Sequence, residues 1–180
     1  MNSPQTLLEA ADMDRIITRI SYEIIESRKD LADAALVGIH TRGVFLARRI
    51  RSKIKKIESL DLDAGDMDIN LYRDDWTRIS QHPVVHRTDI SFSVEEKPII
   101  LIDDVLFTGR TIRAAMDALI DFGRPSRIEL AVLIDRGHRE LPIQANYAGK
   151  YIRTRQDEAI NVLLAEFDGV DRVDLISNEP

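Results

Sequence analysis

The sequence predicts an α/β fold, a mainly parallel sheet flanked by helices, on three observations. Short apolar runs alternate with amphipathic stretches along the chain. Two of the runs, residues 98–102 and 128–134, are apolar throughout, as strands covered on both faces must be. The first of them ends in two acids followed by Thr-Gly-x-Thr and a helical pattern, which places a binding loop at the carboxyl end of a parallel strand.

Each element follows from its pattern. Met13, Ile16, Ile17, Ile20 and Ile24 recur at spacings of three and four and predict a helix over residues 9–27. Residues 34–39 form a short apolar strand ending in His40-Thr41-Arg42-Gly43, after which Leu46, Ile50, Ile54 and Ile57 mark a second amphipathic helix. Residues 67–72 alternate like a strand. Residues 73–97 are polar and aperiodic, which predicts a long functional loop with extended arms at Val84-Val85 and at residues 90–94 and a mobile tip. Residues 109–122 read as a helix with Ile112, Ala115, Met116 and Leu119 inward, stopped by Gly123-Arg124-Pro125. Strands over residues 128–134, 149–152, 161–166 and 172–176 complete the alternation. With 180 residues and no internal linker, residues 1–180 are expected to form one domain.

Composition narrows the function classes. Hydrophobic residues at 44% and charged residues at 31% suit a soluble globular chain. The first residues lack the basic start and apolar core of a secretory signal, and no apolar run approaches the roughly 20 residues that span a bilayer, so a cytoplasmic protein without membrane contact is expected. The absence of cysteine removes disulfides, thiolate zinc sites and thiol catalysis. A net charge of -6 argues against indiscriminate coating of nucleic acid. Charge is nevertheless uneven: Arg42, Arg48, Arg49, Arg51, Lys53, Lys55 and Lys56 fall in a stretch without an acid, whose plain reading is a solvated helix face.

The chemistry concentrates in residues 99–111. Asp103 and Asp104 sit at a strand end, and Thr108-Gly109-Arg110-Thr111 opens the next helix, where unpaired N–H groups and the helix dipole attract an anion. Gly109 permits close backbone approach, and the threonine hydroxyls add donors. Neighbours in an extended segment point to opposite sides, so the two acids suit hydroxyl recognition, directly or through Mg²⁺, better than a shared proton.

This string resembles the phosphoribosyl pyrophosphate (PRPP) signature of the type I phosphoribosyltransferases. Val37-Gly38-Ile39-His40-Thr41-Arg42-Gly43, Leu71-Tyr72-Arg73-Asp74-Asp75, Gly123-Arg124-Pro125 and Asp135-Arg136-Gly137-His138-Arg139-Glu140-Leu141-Pro142-Ile143 resemble the branch of that family that joins uracil phosphoribosyltransferase activity to regulation of pyrimidine genes. The resemblance implies the type I fold with a small hood and a flexible loop at residues 73–97. It implies conversion of uracil and PRPP to UMP and diphosphate with Mg²⁺. Asp103, Asp104 and Arg42 become the catalytic candidates. Asp103, Asp104, Val105, Leu106, Phe107, Thr108, Gly109, Arg110 and Thr111 would hold the ribose and its 5-phosphate. Thr41, Arg42 and Gly43, with Arg73, would hold pyrophosphate, often with an unusual peptide geometry in this family. Asp135, Arg136, Gly137 and His138 would flank the base. The metal would come with PRPP, with Asp103 and Asp104 as protein ligands.

The resemblance also implies a homodimer or larger homo-oligomer that responds to UMP and UTP and binds the mRNA leader of pyrimidine genes. Thr18, Arg19, Arg28, Lys29, Arg139 and Lys150 are the RNA-facing candidates. A regulator with little catalysis and a transferase without RNA binding are the alternatives.

Overall fold

The computed structural model describes residues 4–72 and 87–177. The chain opens with β1 (Gln5–Glu9) and α1 (Ala10–Glu26). A reciprocal cap starts α1: the Glu9 side chain accepts from the Asp12 N–H, and the Glu9 N–H donates to Asp12 at 3.2 Å. Then follow β2 (Ala35–Ile39), α2 (Arg42–Glu58), β3 (Asp63–Met67), β4 (Pro98–Leu106), α3 (Arg110–Ile120) and β5 (Arg127–Asp135). The chain continues through β6 (Tyr147–Tyr151), β7 (Glu158–Leu163), α4 (Ala165–Asp168) and β8 (Arg172–Ser177).

Five strands form a parallel sheet in the order β3-β2-β4-β5-β6. Strand alternation divides its side chains between two cores. Leu36, Ile100, Ile102, Ala131 and Leu133 face α1 and α2, and Val37, Ile99, Leu101, Leu130 and Val132 face α3. This double burial is why β4 and β5 are apolar without alternation. A second sheet, β1-β8-β7, is antiparallel and forms the small hood with α4.

Three sequence expectations are corrected. The strand predicted over residues 67–72 lies at Asp63–Met67, and Asn70–Tyr72 forms a 3₁₀ turn. Asp63, Gly65 and Asp66 are poor strand formers on propensity, but pairing along all of β2 overrides it. Of the predicted arms in residues 73–97, Val84-Val85 lies outside the described residues. The other, 90–94, forms no strand: one bridge joins Asp66 to Asp89, and Ile90, Phe92 and Val94 pack on the α3-side core. Finally, β4 continues through both aspartates to Leu106, so the acids stand within the strand. No helix among the described residues is long and apolar enough to cross a membrane.

Candidate functional site

Sheet order creates the site. From β2 the chain moves outward to β3, and from β4 it moves the other way to β5, so the loops after β2 and β4 diverge around a crevice. The two strands are adjacent, with Gly38 opposite Ile102. Two glycines bring the loops together. A Cβ on Gly38 would sit 2.5 Å from the Val44 Cα, and one on Gly43 would collide with the Ile102 carbonyl oxygen. The amino end of α2 therefore lies against the carboxyl end of β4. The His40–Thr41 peptide in this loop is cis, the unusual geometry that the family resemblance implied.

Asp103 is buried at 6% exposure and Asp104 is partly buried. The Asp103 Oδ1 accepts the Asp104 N–H at 2.9 Å, and the Asp104 Oδ1 accepts the Val105 N–H at 2.8 Å. Both side chains thus turn back on the backbone, and their carboxyl groups are in hydrogen-bonding contact, closer than strand alternation predicts. Burial pushes the Asp104 carboxyl up, opposed by the hydrogen bond from Asp103, the charge of Arg42 and the backbone N–H groups. Among the described residues no three His, Cys, Asp or Glu side chains gather to hold a metal.

Beyond the acids, residues 105–112 line a cleft of about 270 Å³. Gly109 caps α3 with φ 92°, a left-handed conformation that glycine adopts without strain. The Thr108 hydroxyl accepts the Arg110 N–H at 3.4 Å, and Arg110 pairs with Glu140 at 2.6 Å.

The loop after β5 is stitched to this cleft. The Glu140 and Leu141 N–H groups donate to the Thr108 carbonyl at 3.0 and 3.2 Å. Asp135 accepts the Gly137 N–H at 3.0 Å and Arg139 at 2.6 Å. Arg139 also donates to the carbonyls of Phe107 at 2.8 Å and Ile143 at 2.9 Å. The Arg136 guanidinium lies 3.7 Å from the Phe107 ring centroid. It donates to the Thr154 hydroxyl at 2.9 Å and to the Glu158 carbonyl. The His138 ring meets Phe107 edge-on at 5.9 Å and bonds the Thr154 carbonyl at 2.8 Å. Thr154, ahead of β7, and Glu158 of β7, neither of which the sequence singled out, are therefore tied to this loop; no motif marks them.

Arg42, at the start of α2, forms a two-pronged pair with Asp168 of α4, Nε to Oδ2 at 3.0 Å and Nη2 to Oδ1 at 2.7 Å. Sequence reasoning missed Asp168. The signal was indirect: the first turn of α2 carries no acid, so the counter-charge had to come from elsewhere. Five of the other six cations of the basic stretch are also paired, Arg48 to Asp66, Arg49 to Glu166 and Asp171, Arg51 and Lys55 to Asp61, and Lys53 to Asp14. The stretch is a solvated face mostly neutralised by the fold's own acids. Arg73 lies outside the described residues.

The RNA-facing candidates divide. Arg19 on α1 donates to the Gly149 carbonyl, next in the chain to Lys150 on the edge strand β6, while the Thr18 hydroxyl donates to the Asp14 carbonyl of its own helix. Lys29 is exposed just after α1. Arg28 is corrected: its side chain is fully buried and paired with Glu129 at 2.7 Å, so it presents no charge to a partner. The Arg139 guanidinium is largely turned inward to the bonds above.

A crevice between two helix starts at the switch point of a parallel sheet is an arrangement suited to phosphorylated ligands. The phosphoribosyl transferase domain model matches residues 5–162, and the chain belongs to that family. Within it, the chain is a member of the PyrR group. Bifunctional protein PyrR of Syntrophobacter fumaroxidans is 52% identical over 172 residues, 96% of this chain and 92% of the relative. The protein of the same name from Enterococcus faecalis is 53% identical over 93% of each chain, and that of Deinococcus radiodurans is 48% identical over 99% of this chain and 98% of its own. Among solved structures, a hypoxanthine-guanine phosphoribosyltransferase of Bacillus anthracis superposes with TM-score 0.72 at 15% identity, covering 98% of this chain and 99% of its own. The hypoxanthine phosphoribosyltransferase of Trypanosoma cruzi gives 0.70 at 13% identity over 97% of each. At such identities the likeness concerns the fold alone.

Proposed function

We propose that the chain transfers the phosphoribosyl group of PRPP to uracil, giving UMP and diphosphate, and that it binds the mRNA leader of pyrimidine genes in response to UMP and UTP. One observation carries the catalytic reading: the starts of α2 and α3 flank the carboxyl end of β4, where two carboxyl groups stand. Each helix start favours a phosphate, and PRPP has phosphate groups on both sides of a ribose. Residues 105–111 would receive the 5-phosphate. Asp103 and Asp104 would accept from the ribose hydroxyls. Thr41, Arg42 and Gly43, with Arg73, would receive the diphosphate.

The transfer needs no protein nucleophile. The ribose anomeric carbon loses diphosphate and bonds to a ring nitrogen of uracil, which gives up its proton; charge on the leaving oxygens is met by Arg42 and the N–H groups of α2. Asp103 and Asp104 suit Mg²⁺ as hard oxygen donors, and with too few acids nearby for a protein cage the ion would draw its other ligands from diphosphate and water. Bound there, it would neutralise the leaving group.

Asp135, Arg136, Gly137 and His138 would flank the base. The Arg136 guanidinium is already committed to Phe107, Thr154 and Glu158, so recognition there falls to main-chain groups, which discriminate through hydrogen bonds left unpaired by the wrong base. Thr18, Arg19, Lys29 and Lys150 would meet RNA. A cytoplasmic homo-oligomer is the setting we assign.

Purified protein given PRPP, Mg²⁺ and a panel of bases should form UMP from uracil; turnover of hypoxanthine or orotate alone overturns the assignment. A gel shift with the RNA upstream of the pyrimidine genes, with and without UMP, tests regulation. Equal binding of unrelated RNA at physiological salt overturns it.

A further inference from the structure

We infer that Asp168 is a positioning residue that holds the Arg42 guanidinium ready for the diphosphate of PRPP, an inference that rests on the reading of this site as a PRPP site.

The pair is built into two elements. Arg42, Phe45 and Arg49 lie three and seven positions apart on α2, hence on one face. That face meets α4 point by point: Arg42 with Asp168, the Phe45 ring with Phe167 at 6.4 Å, and Arg49 with Glu166 at 2.5 Å and with Asp171 at 2.7 Å. The hood is thereby strapped along the first two turns of α2. Asp168 is itself fixed, since its Oδ2 accepts the Leu164 N–H at 2.8 Å and closes the α4 turn.

The division of donors gives the pair its use. Asp168 takes Nε and Nη2, and no protein acceptor among the described residues bonds Nη1. A guanidinium has five N–H donors in one plane, so fixing one edge aims the other. Gly43, the next residue in the chain, packs so closely on β4 that a Cβ there would lie 3.2 Å from the Asp103 Cα, and the charge of Arg42 acts on the Asp104 carboxyl. A long side chain held this way no longer has to be ordered when substrate arrives. The matched family region ends at residue 162, six positions before Asp168.

The test measures PRPP binding with Mg²⁺ by calorimetry, beside steady-state kinetics, for the wild type, Asp168→Asn and Arg42→Lys. Asp168→Asn should weaken PRPP binding and raise the PRPP KM roughly 3- to 10-fold, the cost of ordering one long side chain afresh. The uracil KM should stay unchanged. In the Arg42→Lys background, where no two-pronged pair can form, the same change should add less than twofold. Equal PRPP affinity in wild type and Asp168→Asn overturns the inference, as does an equal loss in both backgrounds. Should Asp168→Asn not fold, Asp168→Glu keeps the charge but misplaces it, and wild-type PRPP affinity in that variant overturns the inference instead. A wild type that binds PRPP without converting uracil sinks the base assignment and leaves the Asp168 comparison readable.

Discussion

Burial pushes the Asp104 carboxyl above its ordinary value of 3.8. A raised carboxyl is protonated more readily in the folded than in the unfolded chain, so its ionisation costs stability. The cost is absent below pH 3.8, where both states are protonated, and grows as pH rises through the folded value. Asp104→Asn should therefore stabilise the ligand-free protein at neutral pH by about 1 kcal/mol, or roughly 2–4 °C in Tm. The gain should vanish in acid, and PRPP turnover should fall at least about 100-fold. Thermal melts at several pH values and a UMP assay check both halves; a destabilised variant at pH 7 contradicts the account. The importance of Asp104 was legible in the sequence because an acidic pair after an apolar run is rare together with Thr-Gly-x-Thr. Its contact with Asp103 was not, because strand alternation says nothing of side chains that turn back to bond their own backbone. Asp168 was illegible for another reason: it reaches Arg42 across 126 positions, and no local pattern carries that distance.

Among the elements, the strap between α2 and α4 depends on charge. Hydrogen bonds from Arg42 hold the Asp168 carboxyl below its ordinary value, and Asp171, despite burial, is held low by Arg49. Lowered carboxyls contribute stability that is present above pH 3.8 and is lost as pH falls through the folded values. Amide exchange of residues 164–171 should rise in acid before that of β4 and β5; simultaneous exposure would mean the strap has no separate stability. The contact of α2 with β4 is steric instead. Gly43→Ala places a Cβ on the Ile102 carbonyl oxygen, where neither backbone can yield, and should cost about 2–3 kcal/mol in urea unfolding. The helices and central strands followed from apolar periodicity, which burial enforces directly. β3 was misplaced because its stability comes from pairing with β2, and β1 was missed because its short half-exposed pattern of burial carries no periodic signal.

At the scale of the whole molecule, the site borrows from both sheets: the parallel sheet supplies the crevice, and the hood supplies partners for Arg42 and Arg136. A ligand that spans them should stiffen the assembly. PRPP with Mg²⁺ at 100 times its Kd should add about 2.7 kcal/mol, or roughly 5–10 °C in Tm, while PRPP without a divalent cation should add less. Equal shifts with and without the cation would remove Mg²⁺ from the binding step.

The pairing of β1 with β8 sets Gln5 opposite Leu175. During synthesis the strand containing Gln5 has no strand partner until β8 has followed it. The parallel body, made of nearer neighbours, can assemble while the chain is still being read, but the hood cannot. Asp168 and the seat of Arg136 reach their places only then, so a truncated product can look folded by its central sheet and still lack an aimed Arg42.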